Sequence, residues 1–136
     1  MKVVEEPSLR VIFLGLNLRP ELLAMPGQKN PMLDRRVRQA LWQAIDLDTI
    51  QKRVMRGKSR NIGLLVAPPV PGYAAALDAP PKFDADGAKK LLAEAGYPTG
   101  FEVQLDCPNN RYVNDERICQ ALAAMWSKIG VNTKLV

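Results

Sequence analysis

The sequence predicts an α/β fold, with a small mixed sheet, a βαβ unit and flanking helices. Three observations point there. Stretches with the 3.6-residue period of a helix alternate with stretches of the two-residue period of a strand over residues 84–136. Both helical stretches there open on an acid or amide suited to capping and close at a glycine. No apolar run approaches the roughly 18 residues of a membrane-spanning helix, so the apolar residues are set for a water-excluded core.

Taken in order, Val11, Ile12, Phe13, Leu14 and Leu16 form a short apolar run that suits a buried strand entering the core of the sheet. A loop with Pro20, Pro26, Gly27 and Pro31 follows. Asp34 opens a helix with Val37, Ala40, Leu41, Ala44 and Ile45 on one face. Asp46 or Asp48 restarts the chain into a shorter helix through Ile50 and Val54, stopped by Gly57, and the two helices form a hinge-like pair. Periodicity then vanishes from Asn61 to Phe83, where Pro68, Pro69, Pro71, Pro80 and Pro81 impose an extended, turn-rich path. Leu64, Leu65, Val66, Val70 and Tyr73 predict that packing pins this segment down.

The last elements are the most legible. Asp84 opens a helix with Ala88, Leu91, Leu92 and Ala95 on one face, closed by Gly96 before Pro98. Phe101, Val103 and Leu105 alternate with Glu102, Gln104 and Asp106 as in a half-buried strand. Asn114 or Asp115 caps a helix with the stripe Ile118, Ala121, Leu122, Met125 and Ile129, ended by Gly130. Val131, Thr133 and Leu135 make the final strand. Two strands joined through a helix of this length lie parallel, so the loop leaving the first, Pro108 to Asn114, is a natural ligand edge.

Composition narrows the function. A length of 136 residues suits one domain, over residues 1–136, with one modest core. The absence of histidine removes the commonest general base and metal ligand, and with them every Ser-His or Cys-His arrangement. Asp34, Asp84 and Asp115 read as helix caps, and their spacing does not support a hydrolytic pair. No cofactor and no metal site is expected. Cys107 and Cys119 lack the spacing of a zinc or redox motif. They read as unpaired, buried small hydrophobes in preference to a disulfide, which would need the strand end and the helix to pack closely. The net charge of +5 is dispersed among Arg35, Arg36, Arg38, Lys52, Arg53, Arg56, Lys58, Arg60, Lys89 and Lys90, which reads as solvated helix faces; nucleic acid is not an expected partner. Arg38 reads as half of a structural ion pair, with Asp46 or a loop carboxylate, and Trp42 and Trp126 as packing residues.

A series of phrases carries a resemblance: Asn30-Pro31 with Asp34; Val37-Arg38-Gln39-Ala40 leading to Ala44-Ile45-Asp46; Gly57; Pro68-Pro69 to Pro71-Gly72-Tyr73; Phe83-Asp84; Ala88 to Pro98; Gly100-Phe101; and Ile129-Gly130-Val131. Together, from about Val11 onward, they resemble the extracellular solute-binding protein family 5, the peptide- and nickel-type receptors of bacterial ABC importers. The resemblance implies a partial lobe of a type II periplasmic-binding-protein fold, a piece of the second lobe of a longer two-lobe protein. It implies a nonenzymatic role: capturing peptides of the di- and oligopeptide class for import by lobe closure. Related receptors would instead take a nickel chelate, haem, an opine or an oligosaccharide, and a cytoplasmic enzyme or nucleic-acid module is the reading outside this class.

The implied partners are a small peptide or related solute, the missing first lobe, the membrane subunits of an ABC permease, and an oligomer of the piece itself through exposed sheet edges. The implied location is the periplasm, or outside the inner membrane on a lipid anchor, with the export signal absent and Met1-Lys2 an artificial start. In some members resembling this chain, a basic residue in the loop after the strand matching Phe101 to Asp106 meets the ligand carboxylate; the matching position is Arg111. Guanidinium suits that task by its planar fork, and the start of the next helix offers further N–H groups to an anion. The alternative for Arg111 is a loop arginine paired with Asp106 or Asp115. Tyr112 either lines the cleft or packs the loop, and Asn109 and Asn110 either present donors and acceptors to a peptide or simply form the turn.

Overall fold

A computed structural model describes residues 2, 4, 8–21 and 27–136. Pro26 and Met1 lie outside the described residues. The order of regular elements is helix α1 (Arg35–Gln43), helix α2 (Leu47–Thr49) continued by a wider π turn (Ile50–Val54), helix α3 (Ala85–Glu94), strand β1 (Phe101–Leu105), helix α4 (Asp115–Ser127) and strand β2 (Val131–Leu135), with short 3-10 turns at Pro31–Leu33 and Ala75–Leu77.

Helices α1, α2 and α3 each start where the sequence supplies a cap. The Asp34 side chain accepts from the Arg36 amide, Asp46 from the Thr49 amide and Asp84 from the Gly87 amide, satisfying donors that the first helical turn leaves unpaired. Helix α3 ends in a paired closure: the Tyr97 amide donates to the Leu92 carbonyl at 2.8 Å and the Gly96 amide to the Ala93 carbonyl at 3.0 Å. That closure turns Tyr97 onto Phe101, ring edge to face, with centroids 5.2 Å apart.

β1 and β2 pair in parallel, Phe101 opposite Val131 through Leu105 opposite Leu135. The strands begin so close together that a side chain at Gly100, whose φ is +79°, would drive its Cβ into the Gly130 carbonyl. Only glycine fits there. Among the described residues the sheet has these two strands alone, so the expected mixed sheet is a purely parallel pair. The apolar run at Val11 to Leu16 forms no strand, against expectation. Ile12, Phe13 and Leu16 are exposed, and only Leu14 packs against the core. A strand needs a hydrogen-bonded neighbour as well as an apolar pattern, and none of the described segments offers one.

The core joins the apolar faces of α1, α3 and α4 to the buried start of β2: Val37, Ala40, Leu41, Ala88, Leu92, Leu122, Met125, Trp126 and Val131 are its centre. Burying each large apolar side chain of this kind contributes about 1.5–3 kcal/mol. Trp126 also donates its indole N–H to the Leu41 carbonyl at 3.0 Å, tying α4 to α1. Trp42, expected to pack, is 49 % exposed, because it points off the stripe set by Val37 and Leu41. Asn30, almost fully buried, donates to the carbonyls of Asn17 (2.7 Å) and Arg19 (2.8 Å) and accepts from the Met32 amide, fastening the preceding segment to the helical layer. Arg38 makes no ion pair among the described residues. Its guanidinium donates to the carbonyls of Met32 and Leu33, satisfying the end of the turn before α1.

Residues 61–83 are irregular apart from the turn at Ala75–Leu77, as expected, and Leu64, Val66, Val70 and Tyr73 are half-buried. Ala67 is buried and Leu65 is largely exposed. The Asp78 carboxylate holds the segment: one oxygen accepts from the Gly63 amide at 2.6 Å, the other from the Tyr73 hydroxyl at 2.6 Å and the Arg60 guanidinium at 3.3 Å. The Tyr73 hydroxyl, ahead of the Gly63 amide, keeps the Asp78 carboxyl below its ordinary value.

Candidate functional site

The loop from Asp106 to Asn114 leaves the carboxyl end of β1 and enters α4, so the parallel pair fixes both of its ends. At the β1 end, the Cys107 amide donates to the Val136 carbonyl at 2.8 Å, carrying the ladder one residue past the strand. Cys107 and Cys119 then form a disulfide, with Cα atoms 6.3 Å apart. The expectation of unpaired thiols is overturned: the strand end and the second turn of α4 do pack closely, which spacing along the chain does not reveal.

Inside that closed loop Asp115 is the organising group. Only 7 % exposed, it accepts from the amides of Arg111 (2.8 Å) and Tyr112 (3.0 Å) with one oxygen and from the Glu116 amide (2.9 Å) with the other. These bonds, the one from Tyr112 foremost, hold its carboxyl below the usual range. The carboxylate therefore occupies the start of α4 itself, and the expected vacancy there for an outside anion is filled from within. Asn114, expected as a cap, takes a left-handed conformation (φ 59°) with no capping bond, and its side-chain amide instead reaches the Val54 carbonyl at 3.0 Å.

The four predicted site residues thus share one tethered loop. Asn109 and Asn110 are exposed at its bend. The Arg111 guanidinium is exposed and stands 5.7 Å from the centroid of the half-buried Tyr112 ring, a cation–π neighbour. The pairing of Arg111 with Asp106 or Asp115 is not the arrangement found: Asp106 accepts from Gln104, and Asp115 faces backbone amides. An exposed, always-charged fork beside an aromatic wall can hold a carboxylate through two parallel hydrogen bonds.

No group of three or more acidic or cysteine side chains able to hold a metal ion occurs among the described residues. No helix there is long and apolar enough to cross a membrane. The carboxylates of Asp34, Asp84 and Asp115 are each bonded to backbone amides near a helix start. Sequence reasoning missed the loop-tying roles of Asp115 and Asn114; the run Arg111-Tyr112-Val113-Asn114-Asp115 carried the signal in its Asp four residues after Arg111.

Against solved structures, the chain superposes on the periplasmic binding protein AgaA of A. tumefaciens R10, solved with agropinic acid. The TM-score is 0.68 at 33% identity, covering 78% of this chain and 22% of that one. The fold is therefore that of part of a lobe of a periplasmic binding protein. The chain belongs to the bacterial extracellular solute-binding proteins, family 5, whose profile for the middle region matches residues 1–136. It is 34% identical to the dipeptide-binding protein of Escherichia coli (strain K12) over 100% of this chain and 24% of the relative. It is 31% identical to the Heme-binding protein A of Haemophilus influenzae (strain ATCC 51907 / DSM 11121 / KW20 / Rd), again over 100% of this chain and 24% of the relative. The chain spans about a quarter of the length of these relatives.

Proposed function

We propose that this chain is part of the second lobe of a receptor that captures a small peptide, of the di- or oligopeptide class, and hands it to the membrane subunits of an ABC permease. The observation that carries this reading is Arg111, exposed beside Tyr112 on the loop at the carboxyl end of β1. Its guanidinium would take the peptide's terminal carboxylate through two parallel hydrogen bonds. The Tyr112 ring would wall the cleft, and Asn109 and Asn110 would meet the peptide backbone. The similarity to a dipeptide-binding protein along the whole chain supports the choice of ligand class.

Capture would work by enclosure. Two preformed lobes closing on the ligand lose little side-chain freedom and exclude water, so affinity comes from burial and matched hydrogen bonds, with no covalent step and no cofactor. Such a receptor works outside the inner membrane, in the periplasm or on a lipid anchor. A second reading, haem as the solute, is favoured by the relative of that specificity, which also matches along the whole chain.

Mass spectrometry of solutes released from the complete receptor, purified from its own cells, decides between them. Short peptides are the expected cargo; haem without peptide would replace the first reading by the second. The isolated chain should bind peptide weakly or not at all by calorimetry, and tight binding would contradict capture by closure.

A further inference from the structure

The loop bearing Arg111 is tied in three independent ways. The Cys107–Cys119 disulfide joins the end of β1 to the second turn of α4, so residues 108–118 lie within one covalent ring. The Asp115 carboxylate, buried inside it, accepts from the amides of both Arg111 and Tyr112. Asn114 reaches outside it to the Val54 carbonyl, fixing the loop to the turn that continues α2. The outward groups, the Arg111 guanidinium and the Tyr112 ring, are left to meet solvent and each other.

We infer that Asp115 and the Cys107–Cys119 disulfide are positioning residues, which hold the 108–114 backbone in one arrangement so that Arg111 and Tyr112 meet the ligand already in place. Asp115 does this without neutralising Arg111: its oxygens face backbone amides, so it orders the residue and leaves the guanidinium's charge for a carboxylate. A loop that must be ordered at the moment of binding subtracts that cost from affinity, and a loop ordered beforehand does not. The ligand part of the inference rests on the peptide-receptor reading; the holding of the loop does not.

The test uses the complete receptor in its native form, reduced with dithiothreitol, and as Asp115→Asn, Arg111→Ala and the double variant. Hydrogen exchange is followed at the amides of Arg111 and Tyr112, and calorimetry follows binding of the dipeptide Ala-Phe. Asn at 115 keeps the shape and loses the charge and one acceptor, so it reports even if the reduced protein unfolds. Exchange at the two amides should rise about tenfold in the reduced and Asp115→Asn forms, with β1 and α4 unchanged in Asp115→Asn, and Ala-Phe should bind about tenfold more weakly. In the Arg111→Ala background Asp115→Asn should cost less affinity than in the native receptor, since part of its effect acts through Arg111; a general structural role would weaken binding equally in both backgrounds. Native-rate exchange at both amides after reduction and in Asp115→Asn would overturn the inference, as would additive losses. If the native receptor ignores Ala-Phe, the peptide reading fails, and the exchange result alone decides whether the loop is held.

Discussion

Two neighbouring stretches of this chain are held in opposite ways. From Ala85 to Leu135 most of the chain is helix and strand, and its apolar side chains, Leu92, Leu122, Trp126 and Val131 among them, share the load across one core. From Asn61 to Phe83 it is nearly all irregular, and one carboxylate, Asp78, gathers an amide, a hydroxyl and a guanidinium to keep it in place. Gly63 lies so close to Ala79 that an added Cβ would meet the Ala79 backbone at 2.6 Å, so the segment crosses itself where only hydrogen fits. Distributed burial tolerates local damage poorly in free energy but resists it cooperatively. A single polar hub costs little to break and fails locally.

The sharpest way to break that contrast is in the core. Leu92→Ala, at a position 1 % exposed between α3 and α1, should lower unfolding free energy by about 2–5 kcal/mol in denaturant titration. A loss near zero would mean α3 is not part of the shared core. Next in size is the covalent tie. Removing the disulfide as Cys107→Ser with Cys119→Ser frees a ring spanning a separation of 12 residues and should cost about 3 kcal/mol. Its absence from the irregular stretch means the loss should fall on the βαβ unit.

In the irregular stretch, Tyr73→Phe or Asp78→Asn should leave the midpoint of global unfolding nearly unmoved while hydrogen exchange at the Gly63 amide accelerates. A large drop in the midpoint would show that the hub belongs to the core's cooperative unit. The smallest effect is at Asp34, whose carboxyl is held at about 2, first by the Arg36 side chain. Because the folded value is depressed, its contribution is fully present above the unfolded value of about 4 and is lost as pH falls toward 2. Arg36→Gln should return the Asp34 titration, followed by NMR, toward the ordinary carboxylate range.

How much of this was legible follows the same division. Asp34, Asp46 and Asp84 act on amides two or three residues away, and the parallel partnership of β1 and β2 follows from one intervening helix, so local pattern sufficed. The apolar run at Val11 to Leu16 misled because strand formation is decided by a distant partner. The disulfide misled for the same reason: Cys107 and Cys119 meet only because a strand end and a helix turn are brought together by packing. Arg38 was read as an ion-pairing charge, yet its forked donors serve the Met32 and Leu33 carbonyls, a demand set by the turn before α1. At the candidate site, the family resemblance pointed to Arg111 and its loop, while Asp115 read as a cap because its grip on the loop depends on a three-dimensional return of the backbone.

The central claim is that Arg111, on a loop fixed between β1 and α4, is a carboxylate-holding point of a receptor jaw. Calorimetry of the complete receptor with Ala-Phe, and with the same dipeptide carrying a C-terminal amide, tests it most directly. The acid should bind at least about a hundredfold more tightly than the amide, and Arg111→Ala should abolish most of that preference, since a charge-assisted bidentate contact is among the stronger single polar interactions. Equal loss of acid and amide binding in Arg111→Ala, or no loss of either, would contradict the claim.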